Sequence, residues 1–211
     1  MMKMVNPCSS QGSLENSGRV LQSENEKIFF DLVVPKKYMQ ASLENCERQP
    51  KILIDFAKEW AIKPVSVFFF GGCGTGKTYF TFAMIREMFR TCPVKLWPRY
   101  FTSPELDSKL LQASKSEEGD AWVIRDIAEQ DILFIDDFGR ETKSDRLKRQ
   151  YFEILNYRYV NELPTILTSN YNINDLGEIL DKAVASRMQE WEAFHFKGKD
   201  MRKEKPSKIV S

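Results

Sequence analysis

The run Gly71-Gly72-Cys73-Gly74-Thr75-Gly76-Lys77-Thr78 restricts the fold more than any other feature of this chain. It fits G-x-x-x-x-G-K-[ST] at every fixed position. It follows directly on the run Val65–Phe70, apolar but for Ser66, and precedes Phe80, Ala83, Met84 and Met88 at helical spacing. A strand that is apolar at successive positions is buried on both faces, as in a parallel sheet. Glycines let backbone N–H groups close around a phosphate, and the following helix contributes the positive end of its dipole. Gly71, Gly72, Cys73, Gly74, Thr75, Gly76, Lys77 and Thr78 are therefore candidate nucleotide-binding residues, with Lys77 reaching the β/γ-phosphates and the Thr78 hydroxyl on Mg2+.

The rest of the chain alternates in the same manner. A helix is expected after Pro50, ending before Pro64, and another over Thr78–Phe89. Strands are expected at Val94–Trp97, Asp131–Ile135 and Thr165–Ser169, and helices at Pro104–Ala113, Arg146–Tyr159 and about Asp175–Glu192. Strands separated by helices of ten or more residues imply parallel pairing through right-handed crossovers. The expected class is α/β, a parallel sheet sandwiched by helices. Residues 1–27, rich in Ser, Asn, Gln and Glu, read as a disordered tail, 28–196 as the core, and 197–211 as a basic C-terminal tail.

Two further elements carry chemistry. In Ile132-Leu133-Phe134-Ile135-Asp136-Asp137, four apolar residues end in two carboxylates, at the strand edge where doubly wound sheets bind ligands. Asp136 is the candidate for holding Mg2+ through water, and Asp137 for orienting the attacking water as general base. Asp in place of the more usual Glu is one methylene shorter, which predicts slower hydrolysis or a shift of the loop. The strand Thr165–Ser169 ends in Asn170, whose amide is suited to the lytic water or the γ-phosphate if this strand lies beside the acidic pair. Asp136-Asp137-Phe138-Gly139 and Asn172-Ile173-Asn174-Asp175 mimic GTPase motifs. The second lacks the Lys that packs on guanine and reads better as a helix start. No compact Arg cluster marks a nucleotide-kinase lid.

Together GGCGTGKT, ILFIDDFG, PTILTSN and Ala185-Ser186-Arg187-Met188 resemble, in that order, the AAA+ P-loop NTPases. In detail they are similar to the DnaC/DnaI bacterial helicase loaders and the IstB transposition helpers, as are Asn156-Tyr157-Arg158-Tyr159, Phe196–Arg202 and the segment Tyr38–Trp60, which in that family borders the adenine. The resemblance covers about residues 35–203. It implies an ATP hydrolase with Lys77, Asp137, Asn170 as first sensor, and Arg187 as an arginine finger completing the site of a neighbouring subunit. It also implies ATP and Mg2+ as cofactors, and a homo-oligomer, ring or helical filament, formed on ATP binding. Single-stranded DNA and a replicative helicase or a transposase are the implied partners. The first expectation is a DNA replication accessory ATPase of the helicase-loader type. The alternatives are an IstB-like transposition helper, or an ATP-switched recruiting module with little hydrolysis, which the shorter Asp137 and the missing lid favour. The C-terminal lid is expected to be absent or rudimentary, with Arg202 as a weak second sensor. Loaders of this type carry an N-terminal domain that grips the helicase. Here residues 1–27 stand in its place, which leaves either a short peptide that folds on its partner or a different partner.

Composition narrows the partners. Lys+Arg 31 against Asp+Glu 30 gives a formal charge of +1, which excludes a chain-wide cationic field. The charge is nonetheless uneven. Arg140, Lys143, Arg146, Lys148 and Arg149 face two acids between 140 and 150, a candidate footprint for a phosphate backbone, and Lys197–Lys208 is basic too. Lys109 and Lys115 are further candidates where the family inserts a helix that tracks single-stranded DNA. Cys8, Cys46, Cys73 and Cys92 form no CxxC pair, so reduced thiols of a cytoplasmic protein are expected. The longest apolar stretch near the middle of the chain is far short of the ~18 residues of a membrane span. The single histidine, His195, excludes a His-based triad, and the four tryptophans read as core.

Overall fold

The structure, a computed structural model, describes residues 24–115, 119–139, 144–179 and 182–201. Five parallel strands, β1 (Val67–Phe70), β2 (Pro98–Thr102), β3 (Ile132–Asp136), β4 (Thr165–Ser169) and β5 (Glu192–His195), run in the order β2-β3-β4-β1-β5. β4 is thus inserted between the strand of the acidic pair and the strand of the Gly-rich loop. Successive side chains leave opposite faces of a strand, and both faces are covered here. Val67, Phe69, Phe134 and Ile166 belong to one apolar cluster, Phe68, Leu133, Ile135 and Leu167 to the other.

Helices α1 (24–32), α2 (Lys51–Ile62) and α3 (Lys77–Thr91) cover the first face, with Phe29, Trp60, Phe80 and Met84 fully or almost fully buried. On the second lie α4 (Ser103–Ala113), α5 (Ala121–Ala128), α6 (Asp145–Val160), α7 (Ile173–Ile179) and α8 (Lys182–Met188). Local chemistry sets their starts. Thr102 and Glu105 form a reciprocal capping box at α4, and the Ser144 hydroxyl accepts from the Leu147 N–H at α6. Asn172 and Asp175 exchange hydrogen bonds of 3.3 and 3.0 Å at the start of α7, so the GTPase mimic is a helix cap.

Several elements differ from expectation. The second strand is Pro98–Thr102, not Val94–Trp97: the Trp97 N–H donates to the Asp131 carboxylate at 2.9 Å instead of to a ladder. α5 has no counterpart among the expected elements, and its Trp122 is 72% exposed, outside the core. The single helix expected over Asp175–Glu192 is two short helices. The chain then turns through Glu190 and Trp191, whose N–H groups bond Arg187 and Met188 carbonyls, and Glu192–His195 pairs with β1. His195 therefore ends a strand, stacked on Phe70 at 4.8 Å. α1 begins inside the stretch expected as tail, and Glu26 pairs with Arg86 at 3.0 Å. Asp200 and Met201, also expected as tail, lie against the Gly-rich loop.

Arg158, 0% exposed, ties the far end of the sheet. Its guanidinium donates to Thr165 Oγ1 and to the carbonyls of Ala128, Gln130 and Pro164, and burial pushes its pKa down to about 10. Among the described residues no helix is long and apolar enough to cross a membrane.

Candidate functional site

Parallel pairing sends the C-terminal ends of β1, β3 and β4 to one edge, and the residues that follow them meet there. The Gly-rich loop leaves β1 and enters α3, with Gly76 as N-cap in the left-handed region. Lys77, only 5% exposed, donates to the Gly71 and Gly72 carbonyls at 2.6 and 2.9 Å and to Asn170 Oδ1 at 3.0 Å. Thr78 Oγ1 donates to Asp136 Oδ1 at 2.8 Å. Lys77, Thr78, Asp136 and Asn170 thus converge from three separate elements, and Asp137 lines the same cavity. Burial pushes the Asp136 carboxyl above the usual carboxylate range; the hydroxyl bonds from Thr168 and Thr78 oppose that shift, the neighbouring Asp137 adds to it, and the Lys77 charge opposes it.

The cavity holds about 760 Å³. Gly74–Tyr79 form one wall, and Lys37, Tyr38 and Asn45–Gln49 another, so the segment before α2 borders the loop. Cys46 lies on that wall, its thiol pushed up to about 11 by burial. Cys73 is exposed within the loop itself. Among the described residues no group of three or more His, Cys, Asp or Glu side chains is placed to hold a metal ion. A hydroxyl and one carboxylate are instead what Mg2+ takes when substrate phosphates complete its shell, so Thr78 and Asp136 fit that ion.

Two features of the site go beyond the sequence reading. Thr168, 0% exposed, sits two residues before Asn170 and donates to Asp136 Oδ1 at 2.5 Å, while accepting from the Asp137 N–H at 3.0 Å. Thr165, Thr168 and Ser169 all carry hydroxyls in this strand, so only the register of β4 against β3 singles out Thr168. The second is residues 196–201. The Met201 N–H donates to the Gly74 carbonyl at 3.1 Å, and a side chain at Gly74 (φ +73) would collide with the Asp200 carboxylate. At Gly71 (φ +140) it would collide with the Phe196 carbonyl.

Of the remaining candidates, those among the described residues do not line the cavity. Arg187, on α8, donates to the Ala183 carbonyl at 2.8 Å and sits over the rings of Phe152 and Tyr159, at 5.0 and 5.7 Å; its Nε is buried without a hydrogen-bond partner. Arg146 is paired with Asp120 at 3.1 Å, which also accepts from Gln150. Arg149 is exposed and Lys148 half-buried. Arg140, Lys143 and Arg202 lie outside the described residues. Lys109 is half-buried on α4 and Lys115 exposed just after it.

Known proteins agree with this architecture. The DnaC helicase loader superposes with a TM-score of 0.66 over 77% of this chain and 100% of its own, at 24% identity. A DnaI structure gives 0.64 over 80% and 94%, at 21%. The replication initiator DnaA bound to AMPPCP and single-stranded DNA gives 0.65 over 79% and 52%, at 21%. At these identities the likeness shows the fold, that of AAA+ P-loop proteins. Among curated relatives, the phage-like element PBSX protein XkdC of Bacillus subtilis (strain 168) is 30% identical over 160 residues, 72% of this chain and 56% of its own length. The chromosomal replication initiator DnaA of Lactiplantibacillus plantarum is 25% identical over 119 residues, 56% of this chain and 26% of its own. The chain therefore spans about half of the first relative and a quarter of the second. The family described as IstB-like ATP binding protein matches residues 39–207. The chain belongs to the family of IstB-like ATP-binding proteins.

Proposed function

We propose that this chain is a Mg2+-dependent AAA+ ATPase that acts on DNA in replication or transposition, binding single-stranded DNA and either a replicative helicase or a transposase. The observation that carries the reading is the convergence of Lys77, Asn170, Thr78 and Asp136 at one edge of the sheet. The family match supports ATP binding. The helicase loader and the DNA-bound initiator among its structural neighbours support the choice of process.

In this reading the loop N–H groups hold the β-phosphate, and Lys77 leaves the Gly71 and Gly72 carbonyls for the β/γ-oxygens. Thr78, and Asp136 through water, would hold Mg2+, which would neutralise charge on those oxygens. Asp137 orients a water for attack on the γ-phosphorus and takes its proton as the bond to the β,γ-bridging oxygen breaks and ADP leaves, while Asn170 hydrogen-bonds the water or the γ-phosphate. Arg187 serves the site of the next subunit in an oligomer: it belongs to α8, and it is not among the residues lining its own cavity. Arg149 and Lys148 face DNA, with Arg146 tied to Asp120 beside them.

The test uses two variants. Lys77→Ala and Arg187→Ala each abolish DNA-stimulated ATP hydrolysis, and an equimolar mixture regains part of it, because one variant supplies the finger and the other the loop. Absence of hydrolysis by the unaltered protein under every DNA condition sinks the enzymatic reading. It would favour a second one, an ATP-switched recruiting module. That alternative draws on Asp137, whose shorter side chain stands on a left-handed backbone (φ 55). Nucleotide binding with no hydrolysis would identify the module.

A further inference from the structure

We propose that Thr168 is a positioning residue for the nucleotide-bound metal, setting both carboxylates of the site through one hydroxyl; this rests on the ATPase reading above. Thr168 follows Leu167, which stands opposite Ile135 in the parallel register, so its side chain emerges level with Asp136. Its hydroxyl proton goes to Asp136 Oδ1, and its oxygen receives the Asp137 N–H at 3.0 Å. A hydroxyl can do both at once, whereas a backbone amide or an alkyl group cannot.

The two bonds act on different properties. The first fixes the rotation of the Asp136 carboxylate, which also receives the Thr78 hydroxyl. The second holds the turn at Asp137, whose φ of 55 is costly for a residue with a Cβ. The turn is secured again one residue on: the Phe138 N–H donates to the Thr168 carbonyl at 2.7 Å, and Ser169 Oγ donates to the Phe138 carbonyl at 2.6 Å. Asn170 continues the same strand to Lys77, so β4 leads through three consecutive residues into the site. Thr168 itself touches neither the loop nor Lys77 among the described hydrogen bonds, and its side chain is fully buried.

Thr168→Val keeps the shape and removes the hydroxyl. The full chain is titrated with a fluorescent ADP analogue, first in EDTA and then at increasing Mg2+. Loss of an outer hydrogen bond to a metal ligand lowers metal affinity about tenfold to a hundredfold. The Mg2+ midpoint of the valine variant therefore rises at least about tenfold, while metal-free affinity stays within about twofold, because Lys77 and the loop keep their interactions. Thr168→Ser returns the midpoint to near that of the unaltered protein. Should valine not fold, Thr168→Ser and Thr168→Ala differ by the hydroxyl alone and carry the same comparison.

An unchanged Mg2+ midpoint overturns the positioning role. So does an equal loss of affinity with and without Mg2+, which a purely structural residue would give. If the unaltered protein binds no nucleotide in either condition, the ATPase reading falls and takes this inference with it. Intact binding with an unmoved midpoint overturns the inference alone.

Discussion

Lys77 and Arg187 are both assigned to a γ-phosphate, Lys77 to that of its own site and Arg187 to that of the next subunit, and the fold holds them in different ways. Lys77 is buried at the start of α3 and bonded to the Gly71 and Gly72 carbonyls and to Asn170, just past the ends of β1 and β4. Arg187 lies on a seven-residue helix, over two aromatic faces of α6, with its Nε unpartnered. A cation fixed by charge-assisted bonds is preorganised for its own cavity. Arg187, half-buried on ring faces and bonded to a carbonyl of its own helix, is held by α8 and α6 and not by the cavity. The difference teaches that, in the reading proposed above, one cation is built into its own cavity while the other is held on a different face for a neighbour's.

The largest expected effect breaks or confirms this contrast. Lys77→Ala lowers affinity for Mg2+-ATP by about a hundredfold or more, since hydrogen bonds to charged groups are worth ~1.5–3 kcal/mol each. Arg187→Ala leaves affinity within about twofold while the rate falls roughly a thousandfold, the lower range for an arginine finger. Calorimetric titration of both variants measures the first quantity, and single-turnover hydrolysis the second. Equal losses of affinity would place both cations in one cavity and erase the distinction.

A middle-sized effect tests how the loop side is made rigid. Besides Asn170 within, residues 196–201 brace the loop from outside through Met201 and Asp200. Gly74→Ala puts a Cβ on a left-handed backbone and against the Asp200 side chain. Strained backbone costs on the order of 1–3 kcal/mol, so thermal unfolding without nucleotide should occur several degrees lower. Asp200→Ala in the same chain recovers part of the loss. No recovery would mean that backbone strain alone, not the brace, sets the cost.

The parts of this arrangement differ in how legible they are. β4 can be read to the residue because Pro164 precedes a continuous buried run and Asn170 ends it. The loop, Asp136 and Asn170 follow from fixed spacing at strand ends. β5 cannot be read so, because Glu192–His195 is an edge strand whose side chains are largely exposed, and no apolar run announces it. The brace at Gly74 is made by a backbone N–H and a carboxylate, which leave no periodicity. Thr168 becomes legible only when β3 and β4 are known to be neighbours in a given register. The resting place of Arg187 depends on how α8 packs on α6, which spacing within either helix does not state.

The smallest effect concerns cations still farther from the cavity. Arg146 and Arg149 are both on the first turns of α6, but Arg146 is already engaged: it pairs with Asp120 and reaches the Ser114 carbonyl at 3.3 Å. Half of its side chain remains exposed, so that pair is worth at most about 1 kcal/mol. Arg149 is exposed, which leaves it available to a phosphate. Removing one cation from a phosphate lowers the salt slope of binding by ~0.7 for a single strand. Single-stranded DNA titrations across a salt series should therefore show that decrease for Arg149→Ala. Arg146→Ala should act on thermal stability and change the slope less. A larger slope change for Arg146 would mean that DNA displaces Asp120 from it, and that this surface rearranges on binding as the Lys77 site is not expected to do.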